Sequence, residues 1–264
     1  MRQLYPQPVV VAPESDRTRW LAEVYRYPAE AAAGRPWVRA CMVSALDGAA
    51  VWRGRSGGLS GPADAELLGV LRALADAVLV GAGTARSEGY GPAEVHPELV
   101  RARSAAGQEP APAIAVVSAR LDLDPASDLF ARPAASPGAR TMVITARRAP
   151  AAARRALERV AEVVVAGEEQ VEPSLLMREL TARGLCRVHC EGGPRLLGRL
   201  WAAGLLDELC LTVSPLLTAG ESPRILDQRG AADRTRMVLA AVLEEDGFLF
   251  TRYTRSRAAG PSSR

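Results

Sequence analysis

Apolar residues along this chain fall into short, nearly unbroken runs that alternate with stretches in which they recur every three or four positions. The run WVRACMVSAL (37–46) predicts a strand, PADAELLGVLRALA (62–75) a helix with Pro62 in its first turn, and DAVLVG (76–81) a short buried strand. Strands are likewise expected at 113–118, 140–146, 162–167, 186–192 and 207–217, and helices at 150–160, 173–184 and 193–204. Strands separated by single helices require crossover connections, so the pattern predicts an α/β fold with a mostly parallel central sheet flanked by helices. The end of the chain differs. Segments 234–246 and 247–255 have only the turn at Asp246 and Gly247 between them and predict a C-terminal antiparallel hairpin. Residues 1–36, rich in Pro and Arg, read as an N-terminal extension packed on a domain spanning 37–254, residues 103–113 as a surface loop, and residues 255–264 as a flexible tail.

Two strand-to-helix joins are poor in side chains. HCEGGPRLLGRL (189–200) passes from strand to helix through Glu191, Gly192, Gly193 and Pro194. The glycines let a ligand approach the backbone, the proline suits a first helical turn, and the unpaired N–H groups there favour an anion. VLVGAGTARSEGYGP (78–92) runs through Gly81 and Gly83 to Thr84, like the start of a dinucleotide fingerprint, although Arg86 stands where the third glycine would be. Glycines after strands are often only turns. Two such joins at the carboxyl edge of one sheet, however, suit the two phosphate regions of a nicotinamide dinucleotide. Asp47, Glu88 and Glu191 each follow a predicted strand, and if those strands are neighbours the three carboxylates share one cleft. Each also has a structural alternative: a turn cap for Asp47, solvent for Glu88, and backbone N–H groups for Glu191.

Composition narrows the chemistry. All 33 basic residues are arginine, and neither Lys nor Asn occurs in the 264 residues, which excludes a P-loop lysine and a lysine Schiff base. The net charge of +3 is a small excess of interleaved charges, and aromatic residues are sparse, so nucleic acid is not an expected partner. Cys41, Cys186, Cys190 and Cys210 form no CxxC pair, and with only His96 and His189 to add, buried thiols are expected rather than a metal site. No stretch approaches the ~18 apolar residues of a membrane span and the first twenty residues do not read as a secretory signal, which predicts a cytoplasmic protein.

The motifs MVSALDG (42–48), RALADAVLVGAGTARSEGYGP (72–92) and CEGGPRLLGRLWAAGLLDELCLTVSPLL (190–217), in this order, resemble the pyrimidine reductase domain of riboflavin biosynthesis, a relative of dihydrofolate reductase in fold. The likeness spans about Trp37 to Tyr253. It implies an NADPH-dependent reduction of 5-amino-6-(5-phosphoribosylamino)uracil by a homodimer. By the same carry-over Gly81, Gly83, Thr84, Glu88, Gly192, Gly193 and Pro194 frame the cofactor, Asp47 and Glu191 are the catalytic candidates, and Asp47 and Arg86 meet the substrate; the strand end at Thr145 is placed at the adenosine end by the arginines beyond it. Arg147 and Arg148 are placed near an adenosine 2′-phosphate by arginine–phosphate chemistry.

Two departures stand out. Family members with Ser-Leu-Asp-Gly followed by a base contrast with Ala45 and Ala49 here, so another arginine must serve or the substrate has changed. No PCxxC is present, which implies a reductase without the zinc deaminase module. The shared fold leaves open reduction of dihydrofolate or another pterin-like ring, for which Arg86 and Arg101 are candidate contacts, and a binding protein that keeps NADPH without turnover.

Overall fold

The computed structural model describes residues 1–10, 14–131, 141–228 and 234–256. Its centre is the predicted alternation: β3 (Trp37–Ser44), α3 (Pro62–Leu74), β4 (Ala77–Gly81), β5 (Ala113–Val117), β6 (Met142–Thr145), α6 (Ala151–Glu158), β7 (Glu162–Val165), α7 (Pro173–Ala182), β8 (Arg187–Cys190), α8 (Pro194–Ala202) and β9 (Glu208–Val213). β10 (Met237–Glu245) and β11 (Phe248–Arg255) form the terminal hairpin. Preceding these are β1 (Arg2–Tyr5), β2 (Val9–Val10), α1 (Glu14–Val24) and α2 (Ala29–Ala32), while α4 (Ala82–Glu88) and α5 (Pro97–Ala105) follow β4.

The described strands form one sheet in the order β2-β1-β10-β11-β9-β3-β8-β4-β5-β6-β7. From β9 to β7 every neighbour is parallel, and β11, β10, β1 and β2 continue it antiparallel. Period-two alternation sends Val78 and Val80 to one face and Leu79 to the other, and both faces are covered. Leu79 joins Leu176, Met177 and Leu180 of α7 and Leu200 of α8, whereas Val78 and Val80 join Leu157 of α6 and Ala85 of α4. Each such large apolar side chain contributes about 1.5–3 kcal/mol on full burial.

β1 and β2 extend the same sheet, and Leu21 and Tyr25 of α1 pack with Leu67 and Leu71 of α3 and Phe250 of β11. α5 covers the beginning of the stretch read as a loop; only Leu99 and Arg103 of it are buried, so its apolar period is faint. Of the expected tail, residues 257–264 lie outside the described residues.

The sheet also buries a charge cluster. Glu208 and Arg39 are wholly buried and paired at 2.8 Å, Arg252 reaches the same carboxylate at 2.7 Å, and the indole of Trp37 donates to it at 2.9 Å. Arg39 and Arg252 also donate to Tyr25 O and Val24 O, which ties the end of α1 to the sheet. Burial alone would raise the Glu208 carboxyl, but the two guanidinium groups bring it below its ordinary value.

Candidate active site

β8 and β4 are adjacent, with Cys190 beside Leu79, so both glycine joins leave the same edge of the sheet. Gly81 N donates to Gly192 O at 2.7 Å and Glu191 N to Leu79 O at 2.9 Å. A methyl group at Gly81 would lie 3.5 Å from Gly193 N, and one at Gly193 would lie 2.6 Å from Thr84 Oγ1. Gly192 has φ of +79° and precedes Gly193 through a cis peptide bond. The bareness of the EGGP join has a steric side: at Gly193 a side chain would press on Thr84, and at Gly192 on Met42. Gly193 is also the N-cap of α8 and supplies no capping side chain, so the N–H groups of the first turn stay open to a ligand. At Gly83 the opposite holds: an added methyl group would meet nothing within 4 Å.

A cleft of about 380 Å³ opens beyond these strand ends. Its walls are Met42 and Val43 of β3, Asp64, Leu68 and Arg72 of α3, Thr84, Ser87 and Glu88 of α4, then Tyr90, Glu191, Gly193 and Pro194, with Gly54, Ser56, Gly57 and Ser60 at the near side. That is the size of a small-molecule site.

Glu191 is the electrostatic centre of the cleft. Its side chain is 4% exposed and meets Arg72 in two parallel hydrogen bonds, Nε to Oε1 and Nη2 to Oε2, each 2.7 Å. The Tyr90 hydroxyl donates to Oε2, and His189 Nε2 stands 3.4 Å from Oε1. Burial would raise this carboxyl, but Arg72 and His189 outweigh it and hold it well below the carboxylate range. Burial, followed by the Glu191 charge, pushes the Tyr90 hydroxyl far up. Burial, the largest cause, lowers His189 against the opposing pull of Glu191. The result is a fixed anion beside a fixed phenol.

Glu88 lies in the same wall and accepts from Ser56 N at 2.8 Å and Ser56 Oγ at 3.0 Å. Asp64 accepts from Thr212 Oγ1 at 2.6 Å and from Ser60 Oγ at 2.5 Å. Of the three acids expected in one cleft, Glu88 and Glu191 share it and Asp47 stands outside its described lining. Asp47 is exposed, and its Oδ2 accepts from Thr218 N at 2.9 Å and Ala219 N at 2.8 Å. Those N–H groups, Ala219 first, lower its carboxyl. Asp47 thus clasps the distant loop at 218–219.

The remaining candidates divide by position. Gly81, Gly83, Thr84, Gly192, Gly193 and Pro194 cluster around the two joins. Thr145 ends β6, two strands and about 10 Å across the sheet from β4. It is buried, and among the described residues its Oγ1 has no hydrogen-bond partner. Arg86 is turned to Asp122, donating to its carbonyl and standing 3.4 Å from its carboxylate. Arg147 and Arg148, both exposed, pair with Glu168 and Glu169.

Arg72 and Tyr90 are cleft residues that sequence reasoning missed, and His189 stands buried behind Glu191. Arg72 sits in the last turn of an amphipathic helix, where arginine is ordinary, and Tyr90 and Glu191 are separated by 101 positions. The one available signal was the basic residue missing after Gly48, which called for another arginine without identifying it.

Residues 36–246 match the family described as RibD C-terminal domain. The chain is 30% identical over 223 residues to the 2,5-diamino-6-ribosylamino-4(3H)-pyrimidinone 5′-phosphate reductase of Archaeoglobus fulgidus, covering 84% of this chain and 100% of that one. A protein of the same name from Methanothermobacter thermautotrophicus is 28% identical over 226 residues, 83% and 98% of the two chains. Among solved structures, a pyrimidine reductase-like protein from Corynebacterium diphtheriae is 29% identical with a TM-score of 0.80, covering 90% of this chain and 98% of that one. With the matched segment spanning the parallel sheet, both glycine joins and β10, the chain belongs to the RibD C-terminal domain family.

Proposed function

We propose that this chain is a riboflavin-pathway reductase that uses NADPH to reduce a 6-(phosphoribosylamino)pyrimidine at its ribosyl carbonyl or imine carbon. The observation that carries the reading is the cleft itself, in which the open first turn of α8 and the Thr84 wall meet the buried Glu191 carboxylate. The residues fit a nicotinamide dinucleotide: Gly83 leaves open space, Gly193 removes the side chain that would fill the join, and the uncapped turn at Pro194 offers N–H groups to a phosphate. Gly81, Gly83, Thr84, Glu88, Gly192, Gly193 and Pro194 would hold it, with Thr145 toward the adenosine end. When bound, it supplies the hydride.

The protein's own part is alignment and charge. Glu191, held ionised, accepts hydrogen bonds from N–H groups of the pyrimidine and fixes its orientation. Neither ionised Glu191 nor protonated Tyr90 releases a proton at neutral pH, so water is the proposed proton source. Asp47, if it bears on catalysis, does so by holding the loop at 218–219.

The relatives' names specify an amino group at position 2 of the pyrimidine, where the uracil form carries oxygen. Fluorescence titration with NADPH and NADH, followed by addition of each pyrimidine form and then of dihydrofolate, tests the reading. NADPH binding with oxidation on either pyrimidine supports it; oxidation on dihydrofolate alone, or binding without oxidation on any substrate, overturns it.

We also infer a cytoplasmic homodimer. All four cysteines are unpaired, and no helix of the described residues is long and apolar enough to cross a membrane. Leu216 and Leu217 after β9, Val238 of β10 and Leu249 of β11 are exposed apolar side chains available to a second copy. Light scattering that finds a monomer at micromolar concentration overturns the dimer.

A further inference from the structure

A second cavity, of about 480 Å³, shares no lining residue with the active-site cleft. Its wall includes Arg187, the first residue of β8, and Leu74, the last of α3 before β4 begins, which sets it at the amino edge of the sheet, between α3, α5 and the start of α2. The cleft lies beyond the carboxyl ends of those same strands. The described lining of the cavity holds three guanidinium groups, Arg26, Arg103 and Arg187, no carboxylate, and the apolar side chains of Leu74 and Leu99.

The three charges are not equally offset. Arg187 Nε pairs with Asp76 at 3.0 Å, and Arg26 stands 3.6 Å from Glu23 in an exposed pair. Arg103 is 2% exposed and makes no ion pair among the described residues. Its Nη1 donates to Ala73 O and Ala75 O, each at 2.7 Å, and its Nε to Glu109 O at 2.8 Å, so the charge rests on neutral carbonyls at the end of α3. Nη2 has no hydrogen-bond partner among the described residues, and neither has the buried hydroxyl of Tyr27 in the same wall. Burial outweighs the pull of Asp76 and Glu109 and brings the Arg103 guanidinium down to about 10, which leaves it charged at neutral pH. Burial also pushes the Tyr27 hydroxyl up, which keeps it a donor. The described wall thus contains a buried positive charge without a paired carboxylate and two buried donors without an acceptor.

We infer that this cavity is a second ligand site, which binds a small organic monoanion: a carboxylate carried on an apolar or aromatic body. A single unpaired charge matches a carboxylate better than a phosphate dianion, because a second negative charge would be desolvated without a partner. The carboxylate supplies the acceptor oxygens that Arg103 and Tyr27 lack, and Leu74 and Leu99 receive the apolar body.

The test titrates the full chain with benzoate and with neutral benzamide, following backbone amide shifts by NMR, in the wild type, Arg103→Met and Ala102→Trp. Ala102 is an exposed wall residue of α5, so an indole there fills the cavity without entering the core. Benzoate is expected to bind with a Kd of about 1 mM, at least about tenfold tighter than benzamide, and to move the amides of residues 26–29 and 102–108. Ala102→Trp should weaken that binding at least about tenfold, and Arg103→Met should erase the advantage over benzamide. Absence of shifts with benzoate up to about 10 mM, equal binding of benzamide, or benzoate binding that Ala102→Trp leaves unchanged overturns the site. Shifts centred on the first turn of α8 would put the anion in the active-site cleft and overturn it as well. Should Arg103→Met fail to fold, the benzamide comparison and Ala102→Trp decide between these outcomes.

Discussion

Gly193 and Thr84 face each other so closely that the single methyl group separating alanine from glycine would lie 2.6 Å from the threonine hydroxyl. One residue closes the β8 join and the other stands in the first turn of α4, so their approach holds the two glycine-rich crossings in register.

Gly193→Ala is therefore expected to cost about 1–3 kcal/mol through overpacking. Thr84→Ala removes the obstructing hydroxyl and should restore most of that loss in the double variant. A double-mutant cycle by urea unfolding measures the coupling, and additive losses would show that the contact does not limit the join.

Arg72 sets the pH response of the cleft. Because Glu191 titrates lower in the folded protein than in the unfolded chain, its contribution to stability is complete above the unfolded carboxylate range and fades as pH falls through the folded value. Arg72→Met removes the largest opponent of burial, so the carboxyl rises and that contribution shrinks. The variant should be about 3 kcal/mol less stable than the wild type near neutrality, with a gap that narrows toward about pH 4. Urea unfolding at both pH values checks this; an equal gap at each would mean that the pairing contributes packing alone.

Asp47 and Glu191 should separate in kinetics. Glu191→Gln removes a fixed charge from the cleft and is expected to lower kcat/KM by about 100-fold or more. Asp47→Ala frees an exposed loop clasp and should change it by less than about tenfold. Steady-state rates on the same substrate compare the two, and a larger effect at Asp47 would move the catalytic role there.

Glu208→Gln leaves Arg39 and Arg252 facing a neutral amide in a fully buried site. A loss of about 3–5 kcal/mol is expected, because an uncompensated buried charge costs far more than a surface pair contributes. Equilibrium unfolding measures it. Since both guanidinium groups also hold the end of α1, increased hydrogen exchange in residues 17–25 should accompany the loss.

What the sequence determined by itself was local and periodic. Continuous apolar runs such as AVLVG and AIAVV marked strands buried on both faces, three-to-four-residue spacing marked α3, α7 and α8, and Asp246-Gly247 marked the hairpin turn, because strand and helix each impose a period on which side chains meet the core. The two glycine joins were legible as bare of side chains and read as open to a ligand, whereas the close contact of Gly193 with Thr84 came only from the tertiary structure. Only the tertiary structure decided which charges meet. Glu191 and Asp47 look alike in sequence, each an acid before glycine at a strand end, yet one is buried against Arg72 and Tyr90 and the other closes an exposed turn. Arg39 and Glu208 lie 169 positions apart in runs that read as plain core strands, and their pairing exists because β3 lies beside β9. Electrostatic partnership depends on distance in space and on dielectric, and neither has a period along the chain.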